Sequence, residues 1–472
     1  MKTFLLLRPL ASGGLLFLLV HSTSLGQGNL TPPGPPGPTM KTLDQIDAKL
    51  EKRTPISILP YAITTSGSYY VTGNLTGVSG QNGITITASD VNVDLNGFSL
   101  TGIAGAKIGV AIIGGVGGVS VSNGSVNAWP TGGVVALDSV GPKPATACRF
   151  TALHLATNGS VGLDAGYAAL VRDCIAEKNV GPGIYVGEGS NVEHCNSNYN
   201  SGGNGSGFVT YFVQQSGGGV FGPSMFKSCN ATGNSQSGFF ASGSVLTECL
   251  ANANLKVGIN ADHATLRSCT AEKNKLSGVS STSATIEGCL SYDNGTGASD
   301  YGFEGFSGTT LSNCVARGNS GDGIHLFTGG SATACTAIFN DTSGISLTDG
   351  GSAIGCVSSN NSGDGIRVTN ACYVARCNAE SNTLAGVHAT QGDNRIEGNK
   401  VTNNANGIKV DSTVNLIYGN TARGNSGTGG NYSIFTGNRV GTIVIPAVSG
   451  TVTGNAGAAG FNSTDPWANI AY

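Results

Sequence analysis

Cys249-Leu-Ala-Asn-Ala-Asn254-Leu-Lys-Val-Gly258-Ile259 is answered twenty residues later by Cys269-Thr-Ala-Glu-Lys-Asn274-Lys-Leu-Ser-Gly278-Val279, and again by Cys289-Leu-Ser-Tyr-Asp-Asn294. Outward from these units the same phase recurs at Cys174, Cys195, Cys229, Cys314, Cys335, Cys356 and Cys377, mostly 20 or 21 residues apart. Each is followed five residues on by Asn, including Asn254, Asn274, Asn294, Asn319, Asn340, Asn361 and Asn382. Two further units put Asn in place of Cys, with Asn399 leading to Asn404 and Asn420 to Asn425. A fixed internal period of this length signals a stacked repeat.

Within Gly-Ile-x-Val and Cys-x-Ala the apolar residues alternate with period two, so both read as strand. The apolar residue three before each Cys (Leu246, Leu266, Ile286, Leu311) breaks that parity, which requires a bend between them. One unit is therefore three short strands and three turns in about 21 residues, and it cannot bury its own apolar side. Stacking supplies the core, with parallel strands rising ~4.8 Å per coil. The recurring Asn is expected to bond its counterparts above and below, satisfying turn backbone. The corner Gly is expected to supply a positive φ.

The predicted fold is all-β: a parallel β-helix solenoid of about fifteen coils over residues 57–440, with a short helix capping its N-terminal end. Composition agrees, with 75 Gly in 472 residues, 11% charged residues and a net charge of −3. No positive excess exists to neutralise phosphates, so nucleic acid is not an expected partner. Residues 1–26 read as a signal peptide, with Lys2 and Arg8 ahead of an apolar run too short to span a bilayer. That predicts a secreted or periplasmic protein without membrane insertion. Residues 27–56 read as a Pro/Gly linker and an amphipathic helix, where Thr42 and Gln45 have capping-box spacing. Residues 441–472 read as an end cap that loses the ladder, with Trp467 packing on the last coil. Ten of the twelve Cys share one phase of the repeat and read as an inward stack of small buried thiols, with a local Cys372–Cys377 bridge as the alternative for that pair. Without Cys-x-x-Cys or a companion His they imply no metal, and nothing implies a cofactor.

The pattern resembles the right-handed parallel β-helix superfamily, the pectin-lyase-like fold that includes NosD-like Asn-ladder proteins. Ser66-Gly-Ser-Tyr-Tyr-Val-Thr-Gly-Asn-Leu75, Gly83 through Gly97, and Val119 through Val126 with Trp129 are similar to the first three coils of NosD-like chains. The resemblance implies the fold and leaves the reaction open.

Function must then come from what faces outward. Two after each corner Gly, the residues read Tyr185, Phe240, Asn260, Ser280, Glu304, His325, Ser346, Arg367, His388 and Lys409. The lower members are ionisable in a charge-poor chain. Tyr301 adjoins Glu304, and Asp322 and Asp364 precede corner glycines. Insertions lengthen the corner between Asn200 and Gly207 and between Asn294 and Gly302, and the first long coil carries Phe208, Tyr211, Phe212 and Phe221.

Three functions fit. The first is a polysaccharide-binding or surface-interacting solenoid without catalysis. The second is a lyase, C5-epimerase or hydrolase on a uronic-acid polymer, with Glu304, His325, Arg367 and Tyr301 as catalytic candidates. There Arg367 or Lys409 neutralises the carboxylate and His325 or Tyr301 moves the C5 proton. Tyr211, Phe212, Asp322, Asp364, His388 and Lys409 are candidate substrate-binding residues in either case. Asp300-Tyr-Gly-Phe-Glu304 resembles the Tyr-Gly-Phe-Asp-Pro-His motif of mannuronan epimerases, with Glu304, Gly305 and Phe306 departing from its last three positions. The third is a NosD-like maturation factor. Against a site stands the plain fact that any solenoid keeps outward strand positions polar and pairs charges between coils.

Overall fold

Each repeat unit forms one coil of three strands, such as Ile259–Asn260, Thr265–Arg267 and Thr270–Glu272. The computed structural model describes residues 52–136, 145–211, 223–445 and 464–472, with Thr42 and Gln45. Every strand pairs in parallel with its counterpart one coil on: Ile259 with Val279, Leu266 with Ile286, Ala271 with Ser291. The result is a right-handed parallel β-helix. Seventeen corner strands stack from Tyr61–Ile63 to Tyr432–Ile434, two more than the fifteen or so expected. The extra pair, Gly132–Val135 and Leu163–Asp164, belongs to coils without the Cys marker.

Three inward columns make the core. Ile259, Val279, Phe303, Ile324, Ile345 and Ile366 stack on the corner side, Leu246, Leu266, Ile286 and Leu311 on the second, and Cys with Ala on the third, all buried. Burying one large aliphatic side chain contributes roughly 1.5–3 kcal/mol, and each coil adds about two. All twelve cysteines are free and buried. Their thiols donate to carbonyls of the bend and of the preceding coil, as Cys174 does to Arg172 (3.3 Å) and Phe150 (3.5 Å). Burial raises the Cys148 thiol pKa to about 11.

The bends differ from expectation in which residues carry them. The corner glycines 258, 278, 323, 344 and 365 do not have positive φ. They are glycine because the next coil is too close: a Cβ on Gly258 would sit 2.5 Å from Asn274 Nδ2 and 2.6 Å from the Gly278 carbonyl. The left-handed positions lie instead just before the Cys and just before the ladder Asn. They are filled by Glu248 (φ 56°), Ser268 (51°) and Arg376 (53°), and by Ala253 (53°), Lys273 (53°) and Phe339 (56°). A non-Gly residue pays roughly 1–2 kcal/mol there, which the stacked hydrogen bonds offset.

The Asn ladder is unbroken from Asn158 to Asn425. Each Oδ1 accepts both the backbone N–H and the side-chain N–H of the Asn one coil before, as Asn274 does from Asn254 at 3.0 and 2.9 Å. Each Nδ2 also reaches a carbonyl of the preceding coil, as Asn274 does to Ala251. Where Cys gives way to Asn, a parallel ladder runs Asn399, Asn420, Asn469. The tail therefore rejoins the stack rather than losing the ladder, with Thr421 and Ala422 pairing Ile470 and Ala471. Trp467 packs edge-on against Tyr418 at 5.2 Å.

Contacts divide the chain into Met1–Lys52 and Arg53–Tyr472. In the first unit Thr42 and Gln45 make the reciprocal capping-box bonds at 3.1 and 3.2 Å. The first solenoid strand, Thr54–Ile56, begins inside the stretch expected to be linker. The signal-peptide segment and Phe212 lie outside the described residues. Among the described residues no helix is long and apolar enough to cross a membrane.

Candidate functional site

Because strand register is fixed by the inward Ile column, the outward residues must fall in one row. They do. The row runs Asp164, Tyr185, Val209, Phe240, Asn260, Ser280, Glu304, His325, Ser346, Arg367, His388, Lys409, one residue per rung. Rungs are ~4.8 Å apart, so the row changes chemistry along its length in three zones.

The upper zone is aromatic and mostly uncharged. A cavity of about 750 Å³ is lined there by Asp164, Tyr185, Val209, Phe240 and Asn260, with Lys256 its one cation among the described lining residues. Tyr185 stacks at 4.3 Å on Tyr211, which meets Tyr167 edge-on at 5.2 Å. Tyr211 is thus a largely buried backing for Tyr185, while Phe240 is 45% exposed. Phe208 is an inward core residue stacked on Phe239 at 4.8 Å. Asp164 is buried, and burial lifts its carboxyl to about 7 against the opposing pull of the Gly166 N–H and Tyr211.

The middle zone gathers Tyr301, Glu304, Asp322 and His325. Asp300 closes the inserted turn by accepting the Thr296 and Gly297 N–H groups at 2.9 Å. The turn delivers Tyr301 onto His325, their rings 4.4 Å apart and nearly parallel. Phe327 covers the other side at 4.4 Å and itself stacks on Phe306 at 4.7 Å. His325 Nδ1 lies 2.8 Å from Asp322 Oδ2, while Asp322 Oδ1 accepts Ser343 N–H at 2.8 Å and Thr342 Oγ1 at 2.5 Å. Asp322 is thus an anchored carboxylate that orients the imidazole. His325 Nε2 is buried between the rings and has no hydrogen-bond partner among the described residues. Burial, then Asp322 and Glu304, push the Tyr301 phenol up, so it is protonated near neutrality. Glu304 accepts from Ser277 at 3.3 Å.

The lower zone is a closed charge cluster. His388 Nδ1 meets Asp364 Oδ2 and its Nε2 meets Asp411 Oδ2, each at 2.8 Å, and Lys409 reaches Asp411 at 2.9 Å. Burial opposes charging His388, but Asp364 and Asp411 outweigh it and raise its pKa. Asp364 is buried with its other oxygen on Ala385 N–H, so it holds His388 instead of facing solvent. Arg367 lies exposed one rung above His388, with no ion pair or hydrogen bond among the described residues.

The structure therefore brings Tyr301, Glu304, Asp322 and His325 together and sets Arg367 two rungs below His325. Sequence reasoning missed Asp164 and Asp411. Gly162-Leu163-Asp164 obeys the rule that places the row, one coil above the first Cys marker; Asp411 follows Lys409 by two and has no signal of its own. Among the described residues no group of three or more His, Cys, Asp or Glu could hold a metal ion.

Residues 211–336 match the family model described as the right handed beta helix region. By fold, the chain is a right-handed parallel β-helix. Among solved structures it is similar to the periplasmic alginate epimerase AlgG, at 13% identity over 79% of this chain and 76% of that one, TM-score 0.30. It is similar also to the A-module of the mannuronan C-5 epimerase AlgE4 of Azotobacter vinelandii, at 14% identity over 79% and 87%, TM-score 0.28. The Agl-KA catalytic domain aligns at 13% identity over 80% and 62%, TM-score 0.35. These likenesses assign no activity to this chain. No curated protein matches its sequence.

Proposed function

We propose that this is an exported, secreted or periplasmic, polysaccharide-binding solenoid whose ligand lies along the outward row. The observation that carries the reading is the continuity of that row. An open cavity with Tyr185 and Phe240 at its wall leads, rung by rung, to Glu304, the Tyr301–His325 stack and Arg367. Pyranose rings present apolar faces to aromatics and hydroxyl edges to Asn, Ser and Gln, and the upper zone offers both. Binding without turnover is favoured because the free nitrogen of His325 is covered by its flanking rings and the Tyr301 phenol holds its proton.

A second reading rests on the Asp322–His325 pair. An imidazole held at Nδ1 by an anchored carboxylate has the arrangement of a general base at Nε2. If Tyr301 swings away on ligand binding, Nε2 can take the C5 proton of a uronate. Loss of the O4 substituent with C4–C5 double-bond formation is then β-elimination, and reprotonation from the opposite face is epimerisation. A glycan array followed by an ultraviolet assay for unsaturated uronate on each hit decides between them. Binding that survives Glu304→Gln and His325→Ala without product supports the first; product that vanishes in His325→Ala supports the second. No retention of any glycan refutes both.

A further inference from the structure

The row that carries the proposed polysaccharide is not chemically uniform, and the difference between its zones constrains the ligand. From Asp164 to Ser280 the row places one carboxyl, two aromatics, Val209, Asn260 and a Ser, and no cation. Lys256 lines the cavity there and is exposed. A homopolymer of uronic acid laid along these rungs would set a carboxylate against nearly every one of them. Each carboxylate brought onto an aromatic wall without a partner loses hydration that nothing repays. Asp164 would add like-charge repulsion whenever ionised. The same surface suits an uncharged pyranose, with Tyr185 held rigid by its stack on Tyr211 and Phe240 exposed to take a ring face. Asn204 and Gln236 line the cavity as neutral groups able both to donate and to accept. Burial keeps the Asp164 carboxyl protonated up to about 7, a form that donates to a hydroxyl.

The ionic groups begin three rungs below Phe240 at Glu304, roughly 14 Å along the axis, and continue at His325 on the fourth. The free cation, Arg367, lies two rungs further. An acidic sugar is therefore served at the lower end and not at the upper.

Resting on the polysaccharide reading, we infer that the ligand is a mixed polymer, with neutral sugars in the Tyr185–Phe240 cavity and an acidic sugar near Arg367, and not a homopolymer of uronic acid. Its recognition spans at least the six rung spacings from Phe240 to Arg367, so short oligosaccharides cannot fill both zones.

Calorimetric titration of the full chain with hexasaccharides or longer tests this. One set comes from polygalacturonate and polymannuronate, the other from hyaluronan and heparosan, which alternate a uronic acid with a neutral amino sugar derivative. The alternating set is expected to bind about tenfold more tightly, and Phe240→Ala to weaken it about five- to tenfold while leaving the homopolymers unchanged. Phe240 is half-exposed and outside the core, so the variant folds; Tyr185→Ala is a second probe of the same wall. Equal or tighter binding of the homopolymers, or no effect of either variant on the alternating set, overturns the inference and leaves polysaccharide binding standing. Failure of both sets to bind removes the polysaccharide reading and the inference with it.

Discussion

Replacing Asn274 by Ala tests the ladder where it is most regular. The side chain is buried and makes four hydrogen bonds: Nδ2 to Asn294 Oδ1 and to the Ala251 carbonyl, and Oδ1 from the backbone and side-chain N–H groups of Asn254. Truncation leaves the buried Asn254 backbone N–H without its acceptor and strips the Asn254 amide of one of its two bonds. Asn294 Oδ1 keeps the Asn274 backbone N–H at 3.0 Å. Losing four bonds at ~1 kcal/mol each, with at least one buried donor orphaned at ~1–3 kcal/mol, gives about 5–7 kcal/mol before relaxation. A water filling the space would return part of that, so about 3–5 kcal/mol is expected. In a solenoid the loss is felt mainly by the neighbouring coils. Hydrogen exchange should therefore show lost protection centred on Asn254 and Asn274, with coils near Ile366 unaffected. Denaturant unfolding should show a lower midpoint or an added early transition. A loss under ~1 kcal/mol with protection unchanged would mean that the polar stack is incidental and that the aliphatic columns alone hold the coils, which would refute the reasoning.

Other perturbations have equally definite outcomes. Gly258→Ala drives a Cβ into the Asn274 amide and the Gly278 carbonyl, and should cost at least as much as an overpacked core site, ~1–3 kcal/mol, in thermal denaturation; a neutral result would contradict the close-approach explanation. Asp164→Asn should stabilise the protein at pH 8: the folded carboxyl, raised to about 7, holds its proton above the unfolded pKa of ~3.9, so native stability falls as pH rises from ~4 to ~7 and stays low above it. A pH series of melting curves in which wild type and variant run parallel would refute the burial argument. For His388 the pH slope has the same sign, but the protonated form is the charged, stabilising one. Its raised folded pKa makes its contribution full below the unfolded value of ~6.5 and lost as pH climbs through the folded one; the stability gap to His388→Gln should therefore close toward high pH in a titration from ~5.5 to ~9. Ellman's reagent should find essentially none of the twelve buried thiols in the native protein and all of them after denaturation, whereas rapid native labelling would show that the column is open.

Much of the architecture was legible because a repeat writes its geometry many times over. Cys249, Asn254 and Ile259 recur in phase, so register, inward columns and the outward row followed from the period. The coils at Gly132–Val135 and Leu163–Asp164 were missed because their units lack the Cys marker. The turn chemistry was not legible for a different reason. Left-handed positions at Glu248, Lys273 and Phe339 look ordinary in sequence, since the strain is overridden by bonds to adjoining coils. Pairing of side chains was the least readable part. Asn319-Ser-Gly-Asp-Gly-Ile324 and Asn361-Ser-Gly-Asp-Gly-Ile366 are identical, yet Asp322 holds the His of its own coil and Asp364 that of the next. What differs is the outward residue that follows, His325 in one and Arg367 in the other, and which neighbour can present a nitrogen at the right height. The stretch Asp300–Glu304 and the outward row placed Tyr301 and Glu304 on one surface, but only the fold shows that Tyr301 and Phe327 close over His325.

The ladder bonds and the strand-to-strand bonds all point along the axis, which gives the molecule a mechanical grain. Tension between its two ends loads the coils in series, so the weakest terminal coil yields first while the remainder stays intact. Each release frees a loop of twenty-odd residues, lengthening the tether by roughly 60 Å. A single molecule stretched end to end should therefore give way in a staircase of steps, similar for the regular coils and longer where a coil carries an insertion, and a partly unravelled one should rewind onto the rungs that remain.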